Sequence, residues 1–207
     1  MFGLIIRIIL SYTIDQDQDY DINGNILKFN TRFNRPLGDS LDKLTNLTHL
    51  TFGFYFNKPL SNSLDKLINL THLTFGDCFN QSLSNSLCHL TKLQYLTLGF
   101  DFDQEFNLPS NIKILTLNCN NQNLIDNLPN SIEQLNLEYD FDLFLDNLPN
   151  SIKKISFTQN SEYKKSLNNL PKSLEQIQVP SMYNLDIKNV SMGCKITKIT
   201  HWTDILF

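Results

Sequence analysis

Apolar residues recur along this chain in a spaced set. Leu47, Leu50 and Phe52 are followed by Leu70, Leu73 and Phe75, and then by Leu93, Leu96 and Leu98. They fill the first, fourth and sixth places of a unit that repeats every 23 residues in residues 47–92. Shorter units continue the set from Ile112, Ile132, Ile152 and Leu174. Twenty-three residues before Leu50 and Phe52 stand Leu27 and Phe29, so the pattern reaches back to about residue 24. At the fourth to sixth places apolar and polar residues alternate with the period of a strand, one side chain inward and the next outward. A period of this length predicts stacked coils, each adding one short strand, rather than a globule. The rest of each unit must turn the chain back. In the early units Leu60, Leu64 and Leu67 are spaced for a short helix. In the later ones LPSN, LPNS, LPNS and LPKS, from residues 108, 128, 148 and 170, place a proline there and favour an extended or 3₁₀ return.

The spacing LxxLxL is the signature of leucine-rich repeats. The predicted fold is therefore an α/β repeat: a leucine-rich-repeat-like solenoid with a curved parallel β-sheet on the concave face and short helical, 3-10 or extended returns. The blocks FNRP (33–36), FNKP (56–59) and FNQS (79–82), with the recurring LPNS-I and LTxL pieces, resemble the FNIP repeats of amoebae and of the giant viruses that infect them. The resemblance spans about residues 24–180, with FD, NQ, FD and SE replacing Phe-Asn at 102, 121, 141 and 161. It implies a solenoid used for protein binding, in many members joined to an F-box that links it to a ubiquitin-ligase adaptor. Residues 1–23 are then an N-terminal cap or degenerate repeat, with MFGLIIRIILSY as a possible F-box remnant. The capping coil is preferred, because Leu4, Ile6, Leu10 and Ile14 keep the 23-residue register and terminal repeats are atypical. Residues 24–180 hold the repeats and residues 181–207 a C-terminal cap coil.

Composition narrows the partner. A chain of 207 residues with 41% hydrophobic content buries one substantial core. A formal charge of -4 offers no basic field to a nucleic-acid backbone. Residues 101–146 are acidic and residues 153–198 are rich in lysine. Cys78, Cys88, Cys119 and Cys194 have neither metal-ligand nor disulfide-scaffold spacing, which suits a reducing, cytoplasmic setting, that of a host cell if the protein is viral. The apolar start carries Arg7 and is too short to span a bilayer. Neither membrane nor cofactor is expected.

The residues that bear chemistry are few. From Asp19 the chain reads Asp, x, Asp, x, Asn, Gly, like the opening of an EF-hand loop. The twelfth place, however, holds Asn30 where the ion needs a bidentate carboxylate, and the segment after Asn23 is claimed by the first coil. Calcium is not expected; Asn23-Gly24 reads as a tight bend before a strand. No catalytic motif is present, so a non-catalytic module is expected. The outward places of the predicted strands form two columns. His49, His72 and Tyr95 make an aromatic ledge, flanked by Thr51, Thr74 and Thr97, and these six are the candidate partner-binding residues on the concave face. His49 and His72 lack the carboxylate or thiolate partners of a zinc site, so no metal is expected there. Phe33, Phe56, Phe79, Phe102 and Phe141 are expected as a core spine, with Asn34, Asn57 and Asn80 bonding turn backbone.

Overall fold

The structure is a computed structural model and describes residues 20–139 and 141–199. The expected capping coil or F-box remnant in the first 19 residues, Asp19 of the calcium-like stretch, and the last eight residues of the C-terminal cap lie outside the described residues.

Among the described residues a single sheet runs from end to end, its ten strands ordered as they occur in sequence. Strand β1 (Tyr20–Asn23) and β2 (Ile26–Phe29) form an antiparallel hairpin, with Tyr20 opposite Phe29 and Asn23 opposite Ile26. Gly24 starts its two-residue loop at φ 60°, a conformation only glycine adopts without strain. The bend expected at Asn23-Gly24 is therefore there, leading into β2, and Asp21 and Asn23 lie on β1. From β2 onward the sheet is parallel: β3 (His49–Thr51), β4 (His72–Thr74), β5 (Tyr95–Leu98), β6 (Ile114–Leu117), β7 (Gln134–Leu137), β8 (Lys154–Phe157), β9 (Gln176–Val179) and β10 (Lys195–Lys198). The result is a parallel β-solenoid of about nine turns with almost no helix.

The inward places behave as the periodicity requires. Leu50, Leu73, Leu96, Leu115, Leu135, Ile155 and Ile177 are all buried, as are the first-place residues from Leu47 to Leu174. Inside, aromatic rings stack in two rows. Phe33, Phe56, Phe79 and Phe102 follow one another at 5.9, 6.0 and 6.2 Å, and Phe29, Phe52 and Phe75 at 5.4 and 5.3 Å. Beside them runs an amide ladder: Asn34 Oδ1 accepts from the Asn57 backbone N–H at 2.9 Å, Asn57 Oδ1 from Asn80 N–H at 3.0 Å, and Asn80 Oδ1 from Asp103 N–H at 3.1 Å. Each bond satisfies a turn donor that the sheet does not reach.

The early returns differ from a helix. The N–H groups of Ser63, Leu67 and Leu70 donate to the carbonyls of Leu60, Leu64 and Leu67, three residues back in each case, so the Leu60, Leu64 and Leu67 segment is a run of tight turns. Ser61 sits at φ 46°, and Gly38, its equivalent one coil earlier, at φ 51°, while the next return makes the same turns, with Ser86 and Leu90 N–H donating to Leu83 and Leu87 carbonyls. Helix α1 (Gln122–Asp126) arises instead where the Phe spine breaks. Asn121 takes the place of a Phe, is buried, and caps the helix by accepting from Leu124 N–H at 3.0 Å.

Gly53, Gly76 and Gly99 end the strands of three successive coils. A Cβ on any of them would fall inside van der Waals contact of the preceding coil's backbone, at Asn30, Gly53 and Gly76 respectively. Two predictions follow from this packing. Leu73→Ala should cost about 2–5 kcal/mol in chemical denaturation and Thr74→Ala much less, since only the first empties a buried volume; equal losses would reverse the assignment of faces. Gly76→Ala should cost about 1–3 kcal/mol by forcing backbone apart, although the substitution adds only a methyl group; a neutral result would show that the coils slide freely.

Candidate binding face

The outward columns are real surfaces. Parallel pairing puts His49 opposite His72 and His72 opposite Tyr95, with Thr51, Thr74 and Thr97 aligned beside them. The His49 and His72 rings stack at 3.9 Å with 11° between planes, and His72 and Tyr95 at 3.9 Å with 7°. Tyr95 is exposed and the two histidines half-buried. The six residues predicted from sequence thus lie together on adjacent strands.

Two further threonines orient the imidazoles. Thr48 Oγ1 donates to the Asn25 carbonyl at 3.2 Å and Thr71 Oγ1 to the Thr48 carbonyl at 3.0 Å. Thr48 Oγ1 also lies 2.9 Å from His49 Nδ1, and Thr71 Oγ1 2.8 Å from His72 Nδ1, so each ring is held in place through its Nδ1. The His72 pKa is lowered from its ordinary 6.5, first by burial and then by the neighbouring His49, because a second cation at stacking distance is repelled.

The hydroxyls of Thr51, Thr74 and Thr97 have no hydrogen-bond partner among the described residues. Beyond them Gly53, Gly76 and Gly99 are packed against the backbone of the preceding coil. The far rim carries the exposed Phe54 and Phe100 with Asp77 between them. Asp77 accepts from Asn118 Nδ2 two coils away at 3.3 Å, and burial together with Asp77 raises the carboxyl pKa of Glu138. The face therefore carries a column of stacked rings, a column of threonines beside it and a partly acidic edge. In later coils it is tied up with itself: Gln134 Nε2 donates to Asn136 Oδ1 at 2.8 Å, and Asn136 Nδ2 to Thr116 Oγ1 at 3.1 Å.

Sequence reasoning missed Thr48, Thr71, the three glycines and the Asp77 rim. The twice-written THLT and the glycine after LTF at 50–52 and 73–75 and after LTL at 96–98 were the available signals. The four cysteines are free thiols, and Cys119, buried, is pushed up to about 11. Among the described residues no three His, Cys, Asp or Glu side chains converge to hold a metal.

A parallel solenoid of short coils with one strand each defines a leucine-rich-repeat-like protein. The FNIP repeat family matches over residues 102–140 and 120–160, in the later coils rather than at the FNRP, FNKP and FNQS blocks. A giant-virus protein, CroV588, whose crystal structure is described as that of a novel circular LRR protein, is 31% identical with a TM-score of 0.57. The similarity covers 73% of this chain, which spans only 24% of that one. No curated protein matches. Residues 102–160 thus match FNIP repeats, within a fold of the leucine-rich-repeat kind.

The lowered pKa of His72 has a thermodynamic consequence. Because the unfolded chain binds the proton more readily, the stability tied to His72 is fully present above pH 6.5 and is lost as the pH falls below it. Glu133, held below the ordinary 4.5 by hydrogen bonds from Lys153 and Lys113, acts only in the more acidic range beneath that value. Thermal melts between about pH 7.5 and 5 should decline for the native chain and flatten for His72→Phe. Identical slopes would show that the ledge does not resist protonation.

Proposed function

We propose that this chain is a non-catalytic protein-interaction module that holds a protein partner on its concave face. The observation that carries this reading is the triple ring stack of His49, His72 and Tyr95, already ordered by the sheet yet open on its outer edge. Interface hot spots draw on large amphipathic side chains whose conformational entropy is spent before binding. The threonine column supports the same reading, since Thr51, Thr74 and Thr97 keep free hydroxyls where a partner's polar groups would arrive. The match to FNIP repeats and to a leucine-rich-repeat neighbour favours an interaction role in general. The acidic rim at Asp77 and the acid-rich residues 101–146 would steer a basic partner, an effect that fades with salt.

The test compares two proteins that differ only at the ledge. Affinity capture from the native cell followed by mass spectrometry identifies what the unaltered chain retains under stringent washing, and the His49→Ala/His72→Ala/Tyr95→Ala variant is then measured against the same partner. The variant should bind about tenfold more weakly or worse, with a melting temperature close to the parent's, because none of the three fills the core. Undiminished capture would move the site away from the concave face.

A further inference from the structure

Exposed aromatic rings in this chain gather at one place in the coil. After the strand the backbone makes the same short turn in coil after coil: the N–H groups of Phe56, Phe79, Phe102 and Phe141 donate to the carbonyls of Gly53, Gly76, Gly99 and Glu138. The second residue of that turn is Phe54, Asp77, Phe100 and Tyr139 in these four coils, and the third is Tyr55, Cys78 and Asp101 in the first three. Coil-to-coil bonds keep the turns in register, from Cys78 N–H to the Phe54 carbonyl and from Asp101 N–H to that of Asp77. Phe54, Tyr55, Phe100 and Tyr139 are 43, 50, 47 and 54% exposed, and among the described residues the only other exposed Phe or Tyr side chains are Tyr95 and Phe144. Apolar rings left open in one row mark a surface that a partner covers.

The rings recur at every second coil. Asp77 separates Phe54 from Phe100, and the coil between Phe100 and Tyr139 puts the buried Cys119 at this place. With about 4.8 Å per coil the step is about 9.6 Å. A polyproline II helix rises about 3.1 Å per residue and turns every third side chain to one face, a step of about 9.3 Å. Beyond the ledge reading, we propose that this edge of the sheet docks a proline-rich segment of a partner in polyproline II form, with a lysine or arginine lying between its first two ring contacts. Over both steps the two periods drift apart by only about 0.6 Å. An α-helix needs seven residues, about 10.5 Å, to return to the same face and drifts by about 1.8 Å. An extended strand returns every 6.8 Å or so, about 1.4 coils. Phe54 and Tyr55 meet edge to face, with centroids 4.8 Å apart and 74° between planes, and so offer two ring walls at an angle to one pyrrolidine. A polyproline II backbone keeps its carbonyls unpaired. The Tyr55 and Tyr139 hydroxyls, which make no hydrogen bond among the described residues, are donors for them.

Charge sets the place of the basic residue. Asp77 stands between Phe54 and Phe100, and Asp101 follows Phe100. Burial first, and then Asp101 and Asp77, raise the Cys78 thiol pKa, so both carboxylates act at this one step of the edge. Glu138, whose carboxyl pKa is raised by burial and then by Asp77, adds a third acidic group on the side of the later coils. The cations lie outside this step. Arg32 and Arg35 belong to the coil before Phe54, Lys58 follows the Phe54 turn, and Lys164, beyond Tyr139, is paired with Glu162 at 3.4 Å. A cation on the segment is therefore drawn to Asp77 and Asp101 and repelled from the end at Arg32.

The experiment uses the full chain and a peptide of three Pro-Pro-Lys triplets blocked at both ends. Three Gly-Gly-Lys triplets control for conformation and three Pro-Pro-Gln triplets for charge. Calorimetry should show saturable binding of the Pro-Pro-Lys peptide, with either control about tenfold weaker or worse. Phe54→Ser/Phe100→Ser alters two exposed side chains, so its melting temperature should stay close to the parent's while its affinity for the peptide falls about tenfold. Asp77→Asn/Asp101→Asn should reduce the Pro-Pro-Lys peptide to the level of Pro-Pro-Gln. Equal binding of the Gly-Gly-Lys peptide would mean that the lysines meet only an acidic surface, and would overturn the proposal. So would undiminished binding by the serine pair, or no saturable binding by the parent. The His49→Ala/His72→Ala/Tyr95→Ala variant should bind the peptide as the parent does, and a loss there would place the segment on the ledge instead of the edge. The two readings fail separately: a parent that captures its partner through the ledge yet ignores the peptide sinks the edge alone.

Discussion

Parallel pairing at constant register forces each residue to lie on its equivalent one coil away, about 4.8 Å off. Everything else in this molecule obeys that constraint. Inside, it is favourable: phenylalanine meets phenylalanine, leucine meets leucine, and an Asn amide in one coil caps a backbone N–H in the next. Where backbones approach most closely it excludes side chains altogether, hence the glycines at three successive strand ends. A sequence can satisfy such a rule only by repeating, which is why a local pattern specifies a long-range structure here.

The same rule makes the outer face unusual. The ladder that brings His49 over His72 also half-buries the His72 ring, and burial first and the neighbouring His49 second lower its pKa. Thr48 and Thr71, repeating in the same register, turn the two rings alike. A surface of this kind arises from duplication of one coil, with no separate assembly of partners.

Much of this was legible beforehand because it depends on spacing. Inward leucines, the Phe spine, the amide ladder and the membership of the His, Tyr and Thr columns all follow from period and register. What was not legible depends on distances that sequence does not carry. Leu60, Leu64 and Leu67 have a spacing that serves a helix and a run of three-residue turns alike, and only the backbone bonds tell them apart. The roles of Gly53, Gly76 and Gly99 emerge only once coil-to-coil approach is known, and those of Thr48 and Thr71 only once their hydroxyls are seen against the ring nitrogens. Helix α1 was hidden because Asn121 reads as a lapse in the Phe pattern until its capping bond is seen.

That lapse has a bearing on how the molecule comes apart. Aromatic stacking is continuous from Phe29 to Phe102 and resumes from Phe141 through Tyr163 to Tyr183, where the rings are 6.2 Å apart at each step. Between the two runs lie Cys119 and Asn121. In an array held by nearest-neighbour interfaces, cooperativity divides at the weakest joint. At the coil of Asn121 that joint is made by polar ties in place of rings, with Asn121 Nδ2 donating to the Gln104 carbonyl on one side and the Phe144 N–H to Gln122 Oε1 on the other, so unfolding there breaks hydrogen bonds where elsewhere it parts stacked aromatics.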